Sequence, residues 1–401
     1  MKKFISIILA LIMVFALCAC GDTVAPAPVP TEDAGVHGMK VGFIYLHDNA
    51  STYDKNFLEA AETACNNMGV TCINKTNIPE GGECYDAAAE LVDMGCSIVF
   101  ADSFGHESYM LQAAKDFPDV QFCHATGTMA HTEKLPNFHN AFASIYEGRY
   151  LAGVAAGMKL NEMLDNGTIQ PDEVVIGYIG AYPYAEVISG YTSFFLGARS
   201  VCPSATMKVQ YTNSWYDESL EKEAANNLIG QGCVLISQHA DSMGAPTACE
   251  LAGVPNVSYN GSTVEACPNT FIVSSKINWV PYFEYIIQCV VNGNPIDTDW
   301  TGTMATGSVM LTDVNTKVAA VGTVEKLAEV ADQLMHEEIH VFDTTKFTIN
   351  GAFLDEYMAD VDSDTDFTPD TNVISDGVFW ESFYRSAPYF DIIIDGITVI
   401  G

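Results

Sequence analysis

A short motif near the C-terminus has the residue types and the spacing of a metal site. Residues 336–340 match H-E-x-x-H, in which two histidines one helical turn apart bind zinc and the glutamate activates water. The predicted helix ends directly after His340, and no Gly-x-x-His follows at the spacing of the metzincin type. A zinc-dependent hydrolase using His336, Glu337 and His340 is therefore kept as an alternative function, and no metal site is predicted.

Two other chemical patterns are weak or absent. Residues 360–371 alternate acidic side chains as a calcium loop does, but they lack its glycine at position 6 and its glutamate at position 12. We therefore expect a solvated acidic loop there. The chain has no phosphate-cradling glycine loop and no Gly-x-Ser-x-Gly elbow, so nucleotide hydrolysis and serine chemistry have no support.

A third set of residues combines aromatic rings with carboxyl, amide and imidazole groups. It occurs in short stretches at 47–49, 102–104, 182–184, 213–217, 238–241 and 260–262, and at Lys276. Aromatic and carboxylate side chains together suit a flat ring with N–H donors, because such a ring is stacked and hydrogen-bonded at once. Each position alone is more often a helix cap or a turn residue. The interpretation as a ligand site therefore depends on where the stretches lie in the fold.

Nearly all of these stretches follow a predicted strand directly. Strands are predicted at 40–46, 70–73, 97–101, 120–124, 174–179, 207–211, 233–237, 257–259 and 271–274, and helices at 54–68, 84–94, 107–117, 146–164, 185–201, 218–230, 243–252, 280–291 and 324–336. Strands alternating with helices predict an α/β fold with parallel sheets covered on both faces. Because ligands bind beyond the carboxyl ends of such strands, two lobes facing each other would form a cleft lined by these stretches.

The alternation of strands and helices runs twice, which predicts two lobes. The expected organisation is a signal segment at 1–19, a tether at 20–38, a first lobe of 39–145 plus about 262–310, and a second lobe of 146–261 plus about 311–401. Asp395-Gly396 is a strong turn signal, so residues 392–400 are predicted to close the chain as a hairpin.

The N-terminus has the pattern of an export signal. Two lysines precede an apolar run that ends at Leu17, and this run is shorter than the roughly 20 residues that span a bilayer. The following residues resemble the lipobox of bacterial lipoproteins, with Ala19 before Cys20 and Leu17 three positions ahead of it. We expect lipidation at Cys20, the alternative being a plain secretory signal cut nearby. Residues 22–38 contain three prolines and small polar residues, which favours a tether.

Charge and cysteine content limit the possible partners. There are 17 Lys and Arg against 51 Asp and Glu, a net charge of −34, which repels phosphate backbones and makes nucleic-acid binding unfavourable. The same charge argues against lying flat on anionic lipid. Ten of the 12 cysteines remain when Cys18 and Cys20 are set aside. An even number in an exported protein suggests disulfides, yet most lie in predicted helices and strands, where a reduced cysteine packs as a small hydrophobe. Both states stay open.

Several stretches along residues 40–312 resemble one family. They are residues 101–105 (ADSFG), 117–122 (FPDVQF), 149–157 (RYLAGVAAG), 176–180 (IGYIG), 195–199 (FLGAR), 214–217 (SWYD) and 238–241 (QHAD). In this order they are similar to the basic membrane protein family of nucleoside- and purine-binding lipoproteins, the substrate-binding subunits of ABC importers. The resemblance implies a type I periplasmic-binding-protein fold, with two Rossmann-like lobes joined by a hinge that close on a ligand.

The resemblance also implies a function. It indicates a non-enzymatic, monomeric lipoprotein without a cofactor, anchored on the extracytoplasmic face of the cell membrane. Such a protein captures a purine nucleoside or purine base and delivers it to permease and ATPase subunits. A ligand sensor of the same fold is a further alternative.

The stretches after the strands and the resemblance together give the candidate ligand-binding residues. These are Asp48, Tyr53, Ser103, Phe104, Tyr182, Trp215, Asp217, His239, Asp241, Asn260 and Lys276. Lys276 matches a lysine that contacts sugar in the family. Asn260 stands where riboside-binding relatives tend to have aspartate, and an amide binds hydroxyls less strongly than a carboxylate does. A free purine base therefore stays open beside the nucleoside.

Overall fold

The computed structural model describes residue 36 and residues 38–400 of the chain. The predicted signal segment, the lipidation site Cys20 and nearly all of the tether lie outside these residues, so what was predicted for them stays a prediction. Within the described range, no helix has both the length and the apolar character that are needed to cross a bilayer. All ten cysteines in this range are free, and all but Cys72 are buried.

The strands and helices alternate over most of the described chain. The strands are β1 (Lys40–Ile44), β2 (Thr71–Lys75), β3 (Ile98–Ala101), β4 (Gln121–Ala125), β5 (Phe138–Ala143), β6 (Val175–Gly180), β7 (Thr206–Tyr211), β8 (Leu235–His239), β9 (Asn256–Tyr259), β10 (Phe271–Ile277), β11 (Asp299–Gly302), β12 (Val309–Leu311), β13 (Met358–Ala359), β14 (Thr371–Asn372), β15 (Ile374–Ser375), β16 (Val378–Phe379) and β17 (Ile397–Val399). The helices are α1 (Thr52–Met68), α2 (Gly82–Asp93), α3 (Glu107–Asp116), α4 (Ala130–Glu133), α5 (Ile145–Asp165), α6 (Ala185–Val201), α7 (Glu218–Gly230), α8 (Gly244–Ala252), α9 (Val280–Asn292) and α10 (Thr323–Met335).

The first sheet has the strand order β11-β5-β4-β3-β1-β2, and all of its strands are parallel. Its apolar side chains belong to two separate clusters. One cluster joins the sheet to α1 and α9 through residues such as Phe57 and Phe283, and the other joins it to α2 and α3 through Leu91 and Met110. Helices therefore cover both faces, as expected for a buried parallel sheet.

The second sheet has the order β12-β10-β9-β8-β6-β7-β17. Only β12 runs antiparallel to its neighbour. Helices α5 and α6 pack together against one side of it. A Cβ on Gly153 would lie 1.9 Å from the carbonyl oxygen of Phe194, and one on Gly197 would lie 2.0 Å from that of Tyr150. The two helices approach this closely because glycine is present at both positions, which fixes how α6 lies against α5.

The residues are divided between the two sheets differently from the prediction. Residues 262–310 were expected in the first lobe, but β10 pairs in parallel with β9 and β12 pairs with β10, which places both strands in the second sheet. From that range, α9 packs on the first sheet and β11 pairs within it. The sequence also gave no prediction for β5, which lies between β4 and β11.

The predicted closing hairpin is wrong. Asp395 and Gly396 do form a turn, with Gly396 at a φ of +98°, but β17 after it pairs in parallel with β7. Ile392 and Ile394 before the turn are buried in the main apolar cluster of the second sheet. Burial of these side chains takes the place of pairing across the turn.

Candidate ligand-binding site

A pocket lies where the carboxyl ends of the strands of both sheets come together. The space between its walls, counting the part that is open to solvent, is about 360 Å³. The lining residues are Leu46, His47, Tyr53, Asp54, Ser103, Phe104, Thr126, Glu186, Trp215, His239 and Asp241. The first sheet contributes the segments after β1, β3 and β4 and the start of α1. The second contributes the segments after β7 and β8 and the first turn of α6, so the pocket is built from both.

Direct contacts between the two sides hold the pocket in a closed arrangement. The backbone N–H of Thr52 donates to the carbonyl oxygen of Asp241 at 3.0 Å, and the Thr52 hydroxyl approaches the same oxygen at 3.3 Å. Two ring contacts lie beside this hydrogen bond: the centroids of His47 and Tyr216 are 5.2 Å apart, and those of Phe104 and Tyr184 are 5.4 Å apart. Each contact joins a segment of the first sheet to one of the second.

Aromatic side chains form much of the pocket wall. Tyr53, from the first turn of α1, is held by a 2.7 Å hydrogen bond from its hydroxyl to the carbonyl oxygen of Asp102. Trp215 is braced from behind by Tyr182, whose ring meets it edge-on at 5.1 Å and stacks on Tyr184 at the same separation. These rings are fixed before any ligand arrives, which suits stacking on a flat molecule.

Asp54 is the acid of the first-sheet wall, and both of its oxygens are hydrogen-bonded. Oδ1 accepts the backbone N–H of His47 at 2.7 Å, and Oδ2 accepts the hydroxyl of Ser51 at 2.5 Å. Burial raises the pKa of this carboxyl, but the hydrogen bonds from His47 and Ser51 outweigh burial and leave the pKa below its usual value. Asp54 is therefore an ionised acceptor at neutral pH.

Asp241 is the acid of the second-sheet wall, and its surroundings differ. Its backbone is fixed, since its N–H donates to the carbonyl oxygen of Trp215 at 3.0 Å. Its carboxyl has no hydrogen-bond partner among the residues that the structure describes. Burial raises the pKa of this carboxyl well above its ordinary value, and the negative charges of Asp54 and Glu221 raise it further. The shift favours the neutral form of this carboxyl, which offers one O–H donor and one acceptor.

His239 and Glu186 lie next to Asp241 on the same wall. His239 Nε2 is 3.3 Å from Glu186 Oε1. Burial lowers the pKa of His239 despite this carboxylate, so the imidazole is neutral at pH 7. Behind it the fully buried Arg149 donates to the carbonyl oxygen of Gln238 at 3.1 Å and places its guanidinium carbon 3.8 Å from the centroid of the Tyr259 ring. Arg149 thereby fixes the end of β8, from which His239 projects.

A family of binding proteins matches the same part of the chain. The family model of PnrA-like ABC transporter substrate-binding proteins matches residues 44–345, which contain every residue that lines the pocket. The chain belongs to this family. The membership confirms the resemblance stated from the sequence motifs.

Individual proteins agree with the membership. A Brucella abortus protein named as purine-binding is 34% identical over 260 residues, which are 64% of this chain and 69% of that protein. A Haloferax volcanii ABC transporter protein whose name gives glucose as its ligand is also 34% identical, over 251 residues, which are 62% of this chain but only 60% of its own length. The solved structure of an ABC transporter solute-binding protein from Conexibacter woesei superposes with a TM-score of 0.61 at 20% identity, covering 76% of this chain and 98% of that one. The predicted type I periplasmic-binding-protein fold is thus confirmed.

The structure brings some of the predicted ligand-binding residues together in the pocket of this family member. Those that line it are Tyr53, Ser103, Phe104, Trp215, His239 and Asp241. Ser103 is further held by Glu80, whose Oε1 accepts its hydroxyl at 2.6 Å. Tyr182 supports Trp215 from behind and does not line the pocket. That any of these residues contacts a ligand stays a prediction.

The remaining predicted residues lie outside the pocket lining, in structural positions. Asp48 accepts the backbone N–H of Ala50 in a turn, and Asp217 caps α7 by accepting the N–H groups of Ser219 and Leu220. Asn260 is buried with a φ of +64°. Lys276 lies on β10 opposite Met310 of β12. For Asp48 and Asp217 the turn and cap roles account for the residue type.

The pocket also contains residues that were not among the predicted ligand-binding residues: Leu46, His47, Asp54, Thr126 and Glu186. Of these, His47 did lie in one of the stretches singled out after the strands. Asp54 carried a usable signal, because Ser51-x-x-Asp54 is the spacing of a capped helix start, and Ser51 does accept the N–H of Asp54. Glu186 sits in the first turn of α6 and not directly after a strand. Thr126 follows β4 directly, so reading the residue after every strand would have found it.

The geometry does not support the zinc-protease alternative. Helix α10 ends at Met335, and Glu337 has a φ of +56°, so the histidines do not share a helical face. His336 Nδ1 lies 2.8 Å from the carbonyl oxygen of Asp332, while the ring of His340 meets that of Trp380 edge-on. In the described range, the side chains close enough to share an ion are instead those of Asp362, Asp364 and Asp370, in the acidic loop.

Proposed function

We propose that this protein is the substrate-binding lipoprotein of an ABC importer and that it captures a purine base or nucleoside between its two sheets. The observation that carries the proposal is the pocket wall, which combines the rings of Tyr53, Phe104 and Trp215 with two acids, Asp54 and Asp241, whose pKa values are shifted in opposite directions. We propose no catalytic step.

A purine fits this combination of groups. Its flat ring can stack on the aromatic wall, and adenine presents an acceptor at N7 beside a donor at N6. A neutral Asp241 carboxyl offers the matching donor and acceptor, while an ionised Asp54 accepts a further N–H. The purine-binding relative from Brucella supports this choice. The relative named for glucose makes a sugar the competing ligand, since sugars also contact rings and carboxylates.

Capture would proceed by closure of the two sheets on the ligand, a hinge motion. In the closed arrangement the hydrogen bond from Thr52 to Asp241 joins the two sides directly over the pocket. The closed, loaded form would then dock on the permease. Lipidation at Cys20 would keep the protein beside its transporter, and Cys20→Ala should release it from the membrane fraction.

A ligand screen by thermal unfolding tests the proposal, because a molecule that binds only the folded protein raises its Tm. We expect a selective rise with some of adenine, adenosine, guanosine and inosine, and none with uridine or glucose. Trp215→Ala should abolish the rise, whereas Trp215→Phe should keep part of it. As a control, Phe353→Ala removes a ring that is 63% exposed outside the pocket and should change nothing. A rise with glucose alone would replace the purine proposal with a sugar-binding one.

A further inference from the structure

Two cysteine side chains meet at the edge of the first sheet, outside the pocket lining. Cys65 lies in the last turn of α1, and Cys72 lies on β2, the strand at the end of the sheet next to β1. The thiol of Cys65 hydrogen-bonds to that of Cys72, and both side chains pack in the same apolar cluster. The N–H of Val70 donates to the carbonyl oxygen of Cys65 at 3.0 Å, which folds the intervening turn back on the helix. The two sulfur atoms are therefore neighbours, as a disulfide requires.

The two thiols differ in how easily a reagent reaches them. Cys65 is only 1% exposed, whereas Cys72 is the one half-buried cysteine among the ten that the structure describes. The Sγ atom of Cys72 is held at the sheet edge, 3.3 Å from Asn74 Oδ1. A reagent in solution therefore meets Cys72 first, and Cys65 reacts only through its neighbour.

The two thiols also differ in their acidity. The hydrogen bond from Cys65 lowers the pKa of Cys72, although burial and the negative charge of Glu62 act in the opposite direction. The same contact raises the pKa of Cys65, and burial raises it further. Because the thiolate is the nucleophile in thiol–disulfide exchange, Cys72 is suited to the first attack and Cys65 to the second.

We propose that Cys65 and Cys72 are a redox-active pair that is oxidised to an intrachain disulfide by a disulfide compound, either a small molecule or an oxidised thiol–disulfide oxidoreductase. The Cys72 thiolate attacks one sulfur of the oxidant, forms a mixed disulfide and releases the first thiolate. Cys65 then attacks the Cys72 sulfur, its proton passes to the departing thiolate, and the second thiol leaves. The protein loses two hydrogens and two electrons, and the oxidant is reduced to two thiols.

The proposed bond would fasten the last turn of α1 to an edge strand, while the first turn of the same helix carries Tyr53 and Asp54 of the pocket. The export signal predicted from the sequence would take the chain to a compartment where disulfides persist. The other eight cysteines that the structure describes are all buried, so we expect oxidation at this pair alone.

Exposure of the folded full chain to glutathione disulfide tests the inference, followed by alkylation of the remaining thiols, tryptic digestion and mass spectrometry. Trypsin cuts after Lys55 and Lys75, so both cysteines lie in the single peptide 56–75, which should lose two hydrogens and take up no alkyl group. Cys65→Ala should stop at the mixed disulfide, with one glutathione held on Cys72. Cys72→Ser should leave Cys65 reduced and fully alkylated after denaturation.

Cys289→Ala is the matched control, because Cys289 is a buried cysteine of the same apolar cluster, and it should leave the disulfide yield unchanged. A lasting glutathione adduct on Cys72 in the parent protein would show that Cys65 cannot reach it, and would overturn the inference. A bond from Cys72 to Cys96, or oxidation of peptide 56–75 only in urea, would overturn it as well. None of these outcomes depends on the ligand, so the proposed function is tested separately.

Discussion

The two walls of the pocket use the same residue type in opposite ways. On the first-sheet wall, Asp54 has a partner for each carboxyl oxygen and a pKa below the ordinary value. On the second-sheet wall, Asp241 has a fixed backbone, a carboxyl without a partner in the described range, and a pKa well above the ordinary value. One acid is satisfied by the protein, while the other is left for a ligand to satisfy.

This difference determines which of the two walls stabilises the folded state and which destabilises it. An acid that is hydrogen-bonded in the folded state stabilises that state, because the bonds are lost on unfolding. A buried acid without partners destabilises it, and a ligand that hydrogen-bonds to it recovers the loss. The first-sheet wall should therefore behave as part of the fold, and the second-sheet wall as the part that responds to ligand.

The largest effect should come from disturbing the satisfied acid. Asp54→Asn places an NH₂ group against either the His47 N–H or the Ser51 hydroxyl, so one buried donor loses its acceptor. We expect the free energy of unfolding to fall by roughly 3 kcal/mol, measured by urea denaturation. Glu59→Gln on the exposed side of the same helix is the control and should stay within about 0.5 kcal/mol. Equal stabilities for the two variants would contradict the assignment of Asp54 to the fold.

A second effect should appear in the pH dependence of the unfolding free energy, because burial raises the pKa of Glu221 as it does that of Asp241. Burial raises the pKa of Glu221 to about 7, although its carboxylate accepts the N–H groups of Ser242 and Asp217. Its folded-state pKa lies above its unfolded value near 4.3, so its contribution is complete below about pH 4.3 and is lost as the pH rises toward 7.

The measurement is the stability difference between Glu221→Gln and the parent protein. The variant should gain on the parent as the pH rises from about 4.5 to 7, by up to about 3 kcal/mol, with no further gain above that range. Asp54 acts with the opposite sign, since its pKa is lowered and its contribution is lost only as the pH falls below its ordinary value of about 3.9. If the stability advantage of Glu221→Gln over the parent grew toward acid pH instead, the comparison of the two walls would be wrong.

The third effect concerns ligand affinity at the unsatisfied acid. An asparagine reproduces the donor and acceptor of a neutral carboxyl, so Asp241→Asn should bind the purine within about threefold of the parent. Asp241→Ala removes both groups and should weaken binding by about ten- to thirtyfold, with the unfolding free energy unchanged or raised. Calorimetry measures both variants. Loss of binding in Asp241→Asn would mean that Asp241 acts as an ionised acid.

Local sequence signals predicted the elements near these walls well. The predicted helices at 185–201 and 218–230 coincide with α6 and α7, because capping and apolar spacing are properties of short segments. Strand β5 was missed since its sequence FHNAFA has no β-branched residue, and only pairing with β4 and β11 makes it a strand. The sheet that takes β10 is likewise decided by residues distant in sequence.

The site was predictable where a residue lies in the short segment after a strand and lines the pocket, as Ser103 and Trp215 do. Glu186 was not, because it is placed by the close packing of α5 and α6 through Gly153 and Gly197. The protonation contrast between Asp54 and Asp241 was also beyond the sequence. It depends on which donors reach each carboxyl in the folded chain.

The smallest effect concerns Asp217, a residue that supports the second-sheet wall without lining the pocket. Asp217 was predicted to bind ligand, but its carboxylate accepts the N–H groups of Ser219 and Leu220 at 3.0 and 2.9 Å as the cap of α7. Asp217→Ala should therefore lower the unfolding free energy by about 1 kcal/mol and leave purine affinity unchanged, whereas Asp217→Ser should restore most of the stability. Unfolding and titration of both variants decide this. Lower affinity in the serine variant would return Asp217 to the ligand contacts, and the second wall would then hold two acids that act on the ligand.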